Sequence, residues 1–100
     1  MLQLSETQQR HFLQNEASED FLKFLSECFL NVYQGNVPTN RNYVKKYEKP
    51  FRMILNPKIS YKKRRQIFSD NLRLTRTVTI SCGKFLESLH NVHRRVHFNS

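Results

Sequence analysis

Residues 18–35, SEDFLKFLSECFLNVYQG, carry the strongest helical signal in the chain. The Ser18 hydroxyl can cap the free N–H groups of a following turn, and Glu19 and Asp20 put negative charge where a helix dipole favours it. Phe21, Leu22, Phe24, Leu25, Cys28, Phe29, Val32 and Tyr33 then recur at helical spacing, a stripe covering more than half the circumference. Gly35 stops the helix, because glycine takes the left-handed C-cap conformation without steric cost. A helix this apolar must be covered, either by the rest of the chain or by a second copy. The self-association surface read from it is Phe21, Leu25, Cys28, Phe29 and Val32.

Upstream, Ser5 to Leu13 reads as a shorter helix lending Phe12 and Leu13 to the same core. Downstream, Val37-Pro38-Thr39-Asn40 is a connector: Pro38 pushes Val37 out of the helical region, and Thr39 or Asn40 can cap the next helix. Arg41 to Lys49 reads as a short basic helix with Tyr43, Val44 and Tyr47 on one side. Pro50 restarts the chain, Phe51, Met53, Ile54 and Leu55 add an apolar patch, and Asn56-Pro57 breaks it. Ser60 is an N-cap for a helix carrying Lys62-Lys63-Arg64-Arg65, with Tyr61, Ile67 and Phe68 as its apolar minority.

Beyond Asp70 the period changes. Leu72, Leu74, Val78 and Ile80 alternate with Arg73, Thr75, Thr77 and Thr79, which favours a strand. A lone strand has no mate in this chain, so the segment is expected to be poorly ordered. Phe85, Leu86, Leu89 and Val92 return to helical spacing before a His- and Arg-rich tail, His90 to Ser100. The expected architecture is mainly α: three to four short helices in one small domain over residues 1–70. Residues 71–100 form a basic tail with weak strand and helix signals.

Charge is distributed as unevenly as hydropathy. Residues 1–40 hold two basic side chains (Arg10, Lys23) against five acidic ones (Glu6, Glu16, Glu19, Asp20, Glu27), a net of −3. Residues 41–100 hold 15 basic against three acidic (Glu48, Asp70, Glu87), a net of +12. A basic segment with so few internal counter-charges suits a polyanion, because Lys and Arg displace the counterions condensed on phosphates. Lys45, Lys46, Lys62, Lys63, Arg64 and Arg65 are the candidate nucleic-acid contacts. Tyr43, Tyr47 and Tyr61 interleave with them and can stack on unpaired bases, or else belong to the core. Six phosphate contacts would weaken binding roughly 10³-fold between about 50 and 200 mM salt, with little dependence on base sequence.

Other function classes find less support. With 100 residues and a mean hydropathy of −0.68, one modest core is the limit. The longest apolar run falls far short of the ~20 residues a membrane span needs. No basic stretch followed by a hydrophobic block opens the chain, and Cys28 and Cys82 are too few for a disulfide scaffold, so an intracellular address is expected, in the nucleus or a virus-like particle. His90, His93 and His97 share a helical face with Cys82 upstream, but the spacing matches no established zinc finger and Arg94-Arg95 opposes a cation. Neither metal nor cofactor is expected. Without paired carboxylates or a Gly-rich phosphate loop, and with Cys28 inside the most apolar helix, the chain reads as no enzyme. Two alternatives to non-specific DNA binding remain: an interaction or self-association module through residues 21–33, and a helix-turn-helix regulator with Ser60 to Phe68 as recognition helix.

Phe24 to Val32, the Gly35-Asn36-Val37-Pro38 turn, Lys45/Lys46, Arg52 with Leu55, and Ile59-Ser60 followed by Lys62 to Phe68 together resemble a family of small basic proteins. That family is encoded by Polinton (Maverick) transposons and adintovirus-like elements of animal genomes, and the resemblance covers residues 20–68. Its members are likened to the small basic core protein of adenovirus particles, so the resemblance implies packaging of viral-type DNA. The chain departs from the family after Phe68. There a Gly-Gly-Phe-Leu type step and a hydrophobic, Gly-rich tail give way to Ser69-Asp70-Asn71 and the Thr-rich segment. A tail-dependent role such as membrane disruption is therefore not carried over, and the departure implies that residues 72–100 were not selected together with the core.

Overall fold

In the computed structural model, six α-helices and one π turn pack around a shared core: α1 (Glu6–His11), the π turn (Phe12–Glu16), α2 (Glu19–Tyr33), α3 (Arg41–Lys46), α4 (Glu48–Leu55), α5 (Tyr61–Asp70) and α6 (Leu72–Asn99). The structure describes the backbone of residues 1–99 and the side chains of residues 1–89. No strand occurs among the described residues.

Local chemistry sets most helix starts. Ser5 forms a capping box, accepting from the Gln8 N–H while the Gln8 side chain accepts from the Ser5 N–H. The side chains of Ser18, Asn40 and Ser60 accept from the amides of Phe21, Asn42 and Lys63. At the end of α2, Gly35 sits at φ +82, the Gly35 N–H reaches the Val32 carbonyl and the Asn36 N–H reaches that of Asn31. This is a Schellman closure, which needs the left-handed residue that glycine supplies cheaply.

The expected basic helix over residues 41–49 divides at Tyr47, whose backbone (φ −108, ψ 26) ends α3 and begins α4. Pro50 lies in the first turn of α4, where a missing N–H costs nothing. The helix expected over Ser5 to Leu13 runs further, as a π turn closed by the Ala17 N–H on the Phe12 carbonyl, and both Leu13 and Ala17 enter the core.

Three phenylalanines hold the centre. Phe29 of α2 lies 5.1 Å from Phe51 of α4 and 5.3 Å from Phe68 of α5, centroid to centroid, and all three are buried. Such tilted and edge-on pairs suit the ring quadrupole. Leu25, Cys28 and Val32 join them in the interior, while Phe21 is half-buried against Phe12. Of the self-association surface expected at Phe21, Leu25, Cys28, Phe29 and Val32, the last four are buried inside the chain itself and Phe21 is partly covered by Phe12. The apolar side chains that α2 leaves exposed are Phe24 and Leu30.

The larger correction concerns residues 72–80, expected as a strand and found as the first turns of α6. Leu72, Leu74, Thr75, Val78 and Cys82 are buried, a set that fits helical spacing as well as the alternation did. The threonines adapt by donating backwards along the helix: Thr75 to Asn71, Thr77 to Arg73 and Thr79 to Thr75. Each hydroxyl thus bonds a carbonyl four residues earlier, which makes β-branched polar residues tolerable there. Thr75 also donates to the Phe68 carbonyl at 2.9 Å, tying α6 to α5. The expected boundary at residue 70 consequently does not divide the core, which draws on both sides of it. Past Cys82 the packing thins, and Leu86 and Leu89 are about half exposed.

Candidate nucleic-acid interface

The six cations picked out along the sequence do not share one environment. Lys45 and Lys46 occupy the last turn of α3, and Lys62 and Lys63 the first turn of α5; all four are exposed. None has a carboxylate partner among the described residues, where the ion pairs are Arg52–Glu48 at 2.8 Å, Arg76–Glu6 at 3.6 Å and His11–Glu16 at 3.3 Å. The Lys46 ammonium lies 5.4 Å from the Tyr47 ring centre.

Placement relative to the helix dipoles separates the two lysine pairs. Lys45 and Lys46 sit at a helix C-terminus, where positive charge is favoured. Lys62 and Lys63 sit at an N-terminus that has no acidic residue in its first turn. There the dipole opposes them, by about 0.3–1 kcal/mol each.

Arg64 points inward instead. Its guanidinium donates to the Ile54 carbonyl at 2.6 Å, the Ser26 hydroxyl at 2.8 Å and the Asn56 carbonyl at 3.2 Å. It therefore terminates α4 and fastens it to α2 and α5. Burial pushes its pKa below the ordinary arginine value, but the group stays charged at any physiological pH. Arg64 is thus a structural clamp, and Arg65 is half-buried with a long 3.5 Å bond to the Leu13 carbonyl. Arg41 does for α2 what Arg64 does for α4, donating to the carbonyls of Val32 and Tyr33 at 2.9 and 2.8 Å. Neither role was visible in the sequence, because the acceptors are helix-end carbonyls and not acidic side chains. Arg52 is held above its ordinary pKa by the Tyr33 hydroxyl and then by Glu48.

Replacing Arg64 by Met keeps much of its aliphatic bulk while leaving three acceptors without their donor. A loss of about 2–3 kcal/mol is expected in chemical denaturation. Lys at this position should restore little, since an ammonium lacks the planar fork.

The tyrosines belong more to the fold than to a stacking platform. Tyr43, Tyr47 and Tyr61 are partly buried against the core, and the Tyr43 and Tyr47 rings pack at a tilt with centres 4.7 Å apart. On α5, Ile67, Phe68 and Ser69 are buried and Lys62, Lys63, Gln66 and Asp70 are exposed. The side chains of His90, His93 and His97 lie outside the described residues. Among the described ones no cluster of three metal-ligating side chains exists, and Cys82 lies beside Cys28. No helix among the described residues is long and apolar enough to cross a membrane. Compared with protein-family models, with curated proteins and with solved structures, the chain has no match.

Proposed function

We propose that this protein binds nucleic acid non-specifically and condenses it, as a small virion-core protein of a Polinton- or adintovirus-type element would. Lys45, Lys46, Lys62 and Lys63 are its principal phosphate contacts. The observation that carries this reading is the exposure of those four ammonium groups without a carboxylate partner among the described residues, two of them at a helix N-terminus whose dipole already repels them. A phosphate there relieves charge repulsion and releases counterions at once.

The mechanism is charge neutralisation, with no covalent step. The helix pair α3–α4 and the start of α5 act as a rigid carrier for the lysines, held by Arg41 and Arg64. Because the lysines meet phosphates and not base edges, affinity should be indifferent to base sequence. With Arg64 engaged internally and Arg65 half-buried, about four contacts remain.

A salt titration on duplex DNA, single-stranded DNA and RNA in parallel tests partner and mechanism together. About four phosphate contacts give a log–log slope near −3.6 on duplex DNA, a roughly 10²-fold loss between about 50 and 200 mM salt. No retention of any polynucleotide in dilute buffer would refute the reading. Strong discrimination among duplex sequences would replace it with a helix-turn-helix regulator.

A further inference from the structure

Cys28 on α2 and Cys82 on α6, 54 positions apart in sequence, meet in the fold. The Cys82 thiol donates to the Cys28 carbonyl at 3.6 Å, and each thiol is close enough to perturb the other's ionisation. Both are free and only 4% exposed. They also share the wall of a cavity of about 240 Å³, whose other lining includes Phe24, Val37, Phe85 and Leu86. A cavity of this size admits a water-sized oxidant, since one water takes about 30 Å³ of liquid volume.

We propose that Cys28 and Cys82 are a modification site for a hydroperoxide oxidant, closing into a disulfide that fastens the long C-terminal helix α6 to α2. In the first step one thiol, having given its proton to solvent, attacks a peroxide oxygen. The O–O bond breaks, water leaves after protonation, and the sulfur becomes a sulfenic acid. In the second step the other sulfur attacks it, the S–O bond breaks, a second water leaves and the S–S bond forms. Two thiols and one hydrogen peroxide give one disulfide and two waters, so the two electrons leave sulfur for the peroxide.

Environment sets the pace. Burial, then the neighbouring Cys82 thiol and Glu27, push Cys28 up to about 12. Burial also raises Cys82, but a hydrogen bond from the Cys28 thiol works in the opposite direction. The site resists brief exposure at neutral pH, and its rate climbs with pH because only the thiolate is nucleophilic.

The test is peroxide titration of the full-length protein at about pH 8, read by intact mass, iodoacetamide-reactive thiols and thermal melting. Oxidised protein should lose two hydrogens and gain no oxygen, with both thiols disappearing together. Because the bond closes a long loop, Tm should rise by about 10 °C or more and fall back with dithiothreitol. Cys28→Ser and Cys82→Ser should each gain oxygen on the remaining sulfur and show no such rise. Oxygen added to the wild type without a cross-link, covalent dimers in place of the intramolecular bond, or a disulfide that leaves Tm unchanged or lower would each overturn the proposal. The wild-type mass and melting readouts decide it even if a serine variant fails to fold.

Discussion

A chain ending at Asn71 is expected to lose cooperative unfolding altogether. That truncation removes Leu72, Leu74, Val78 and Cys82, all buried in the common core, and the Thr75 hydroxyl that donates to Phe68. Burying a Leu or Val side chain contributes about 1.5–3 kcal/mol, so three of them are worth roughly 5–9 kcal/mol. A domain of this size has only about 5–15 kcal/mol in total. Removing α6 also uncovers the faces of α2 and α5 on which it packs, Cys28 among them. Circular dichroism melts decide the matter: a truncated chain that melts sharply near the full-length Tm would show α6 to be an appendage. Leu74→Ala is the milder version, with an expected loss of about 2–5 kcal/mol for a fully buried leucine.

Replacing Lys45, Lys46, Lys62 and Lys63 together by Ala should reduce the affinity for duplex DNA on the order of 10³-fold at about 100 mM salt, and should flatten the salt slope by about 3.6. Thermal stability should barely change, because all four are exposed and none makes an ion pair among the described residues. The two lysine pairs are expected to differ. Removing Lys62 and Lys63 relieves repulsion at the α5 N-terminus and should raise stability slightly, whereas removing Lys45 and Lys46 takes favourable charge from the α3 C-terminus. An unchanged salt slope in the fourfold variant would move the interface elsewhere on the molecule. Arg64→Met provides the contrast, expected to lower stability while leaving the slope of the folded protein in place.

Much of the local structure is legible along the chain. Ser18, Asn40 and Ser60 are capping residues because a short polar side chain before an apolar-periodic run has an orphan amide to meet one turn later. Gly35 and the Asn56-Pro57 break are equally local, one by its positive φ and the other by the steric demand of proline on its predecessor. Period alone misleads at residues 72–80. The positions Leu72, Thr75, Val78 and Cys82 satisfy a helix, while Leu72, Leu74, Val78 and Ile80 satisfy a strand. What breaks the tie is the absence of a mate for the strand and the presence of apolar faces on α2 and α5 for the helix to cover.

The candidate interface divides along the same line. That residues 41–100 carry a surplus of positive charge is a property of composition, and so is the presence of an apolar helix too greasy to stand alone. Which cations are free to meet a partner is not. Arg41 and Arg64 are consumed by carbonyls at the ends of α2 and α4, and those acceptors exist only once the helices have ended and come together. The meeting of Cys28 with Cys82 is of the same kind, a contact between residues whose separation along the chain carries no trace of it. Capping, periodicity and net charge act over a few residues or over the whole, and a linear reading recovers both; the middle range, where side chains find acceptors and partners across helices, is decided by packing alone.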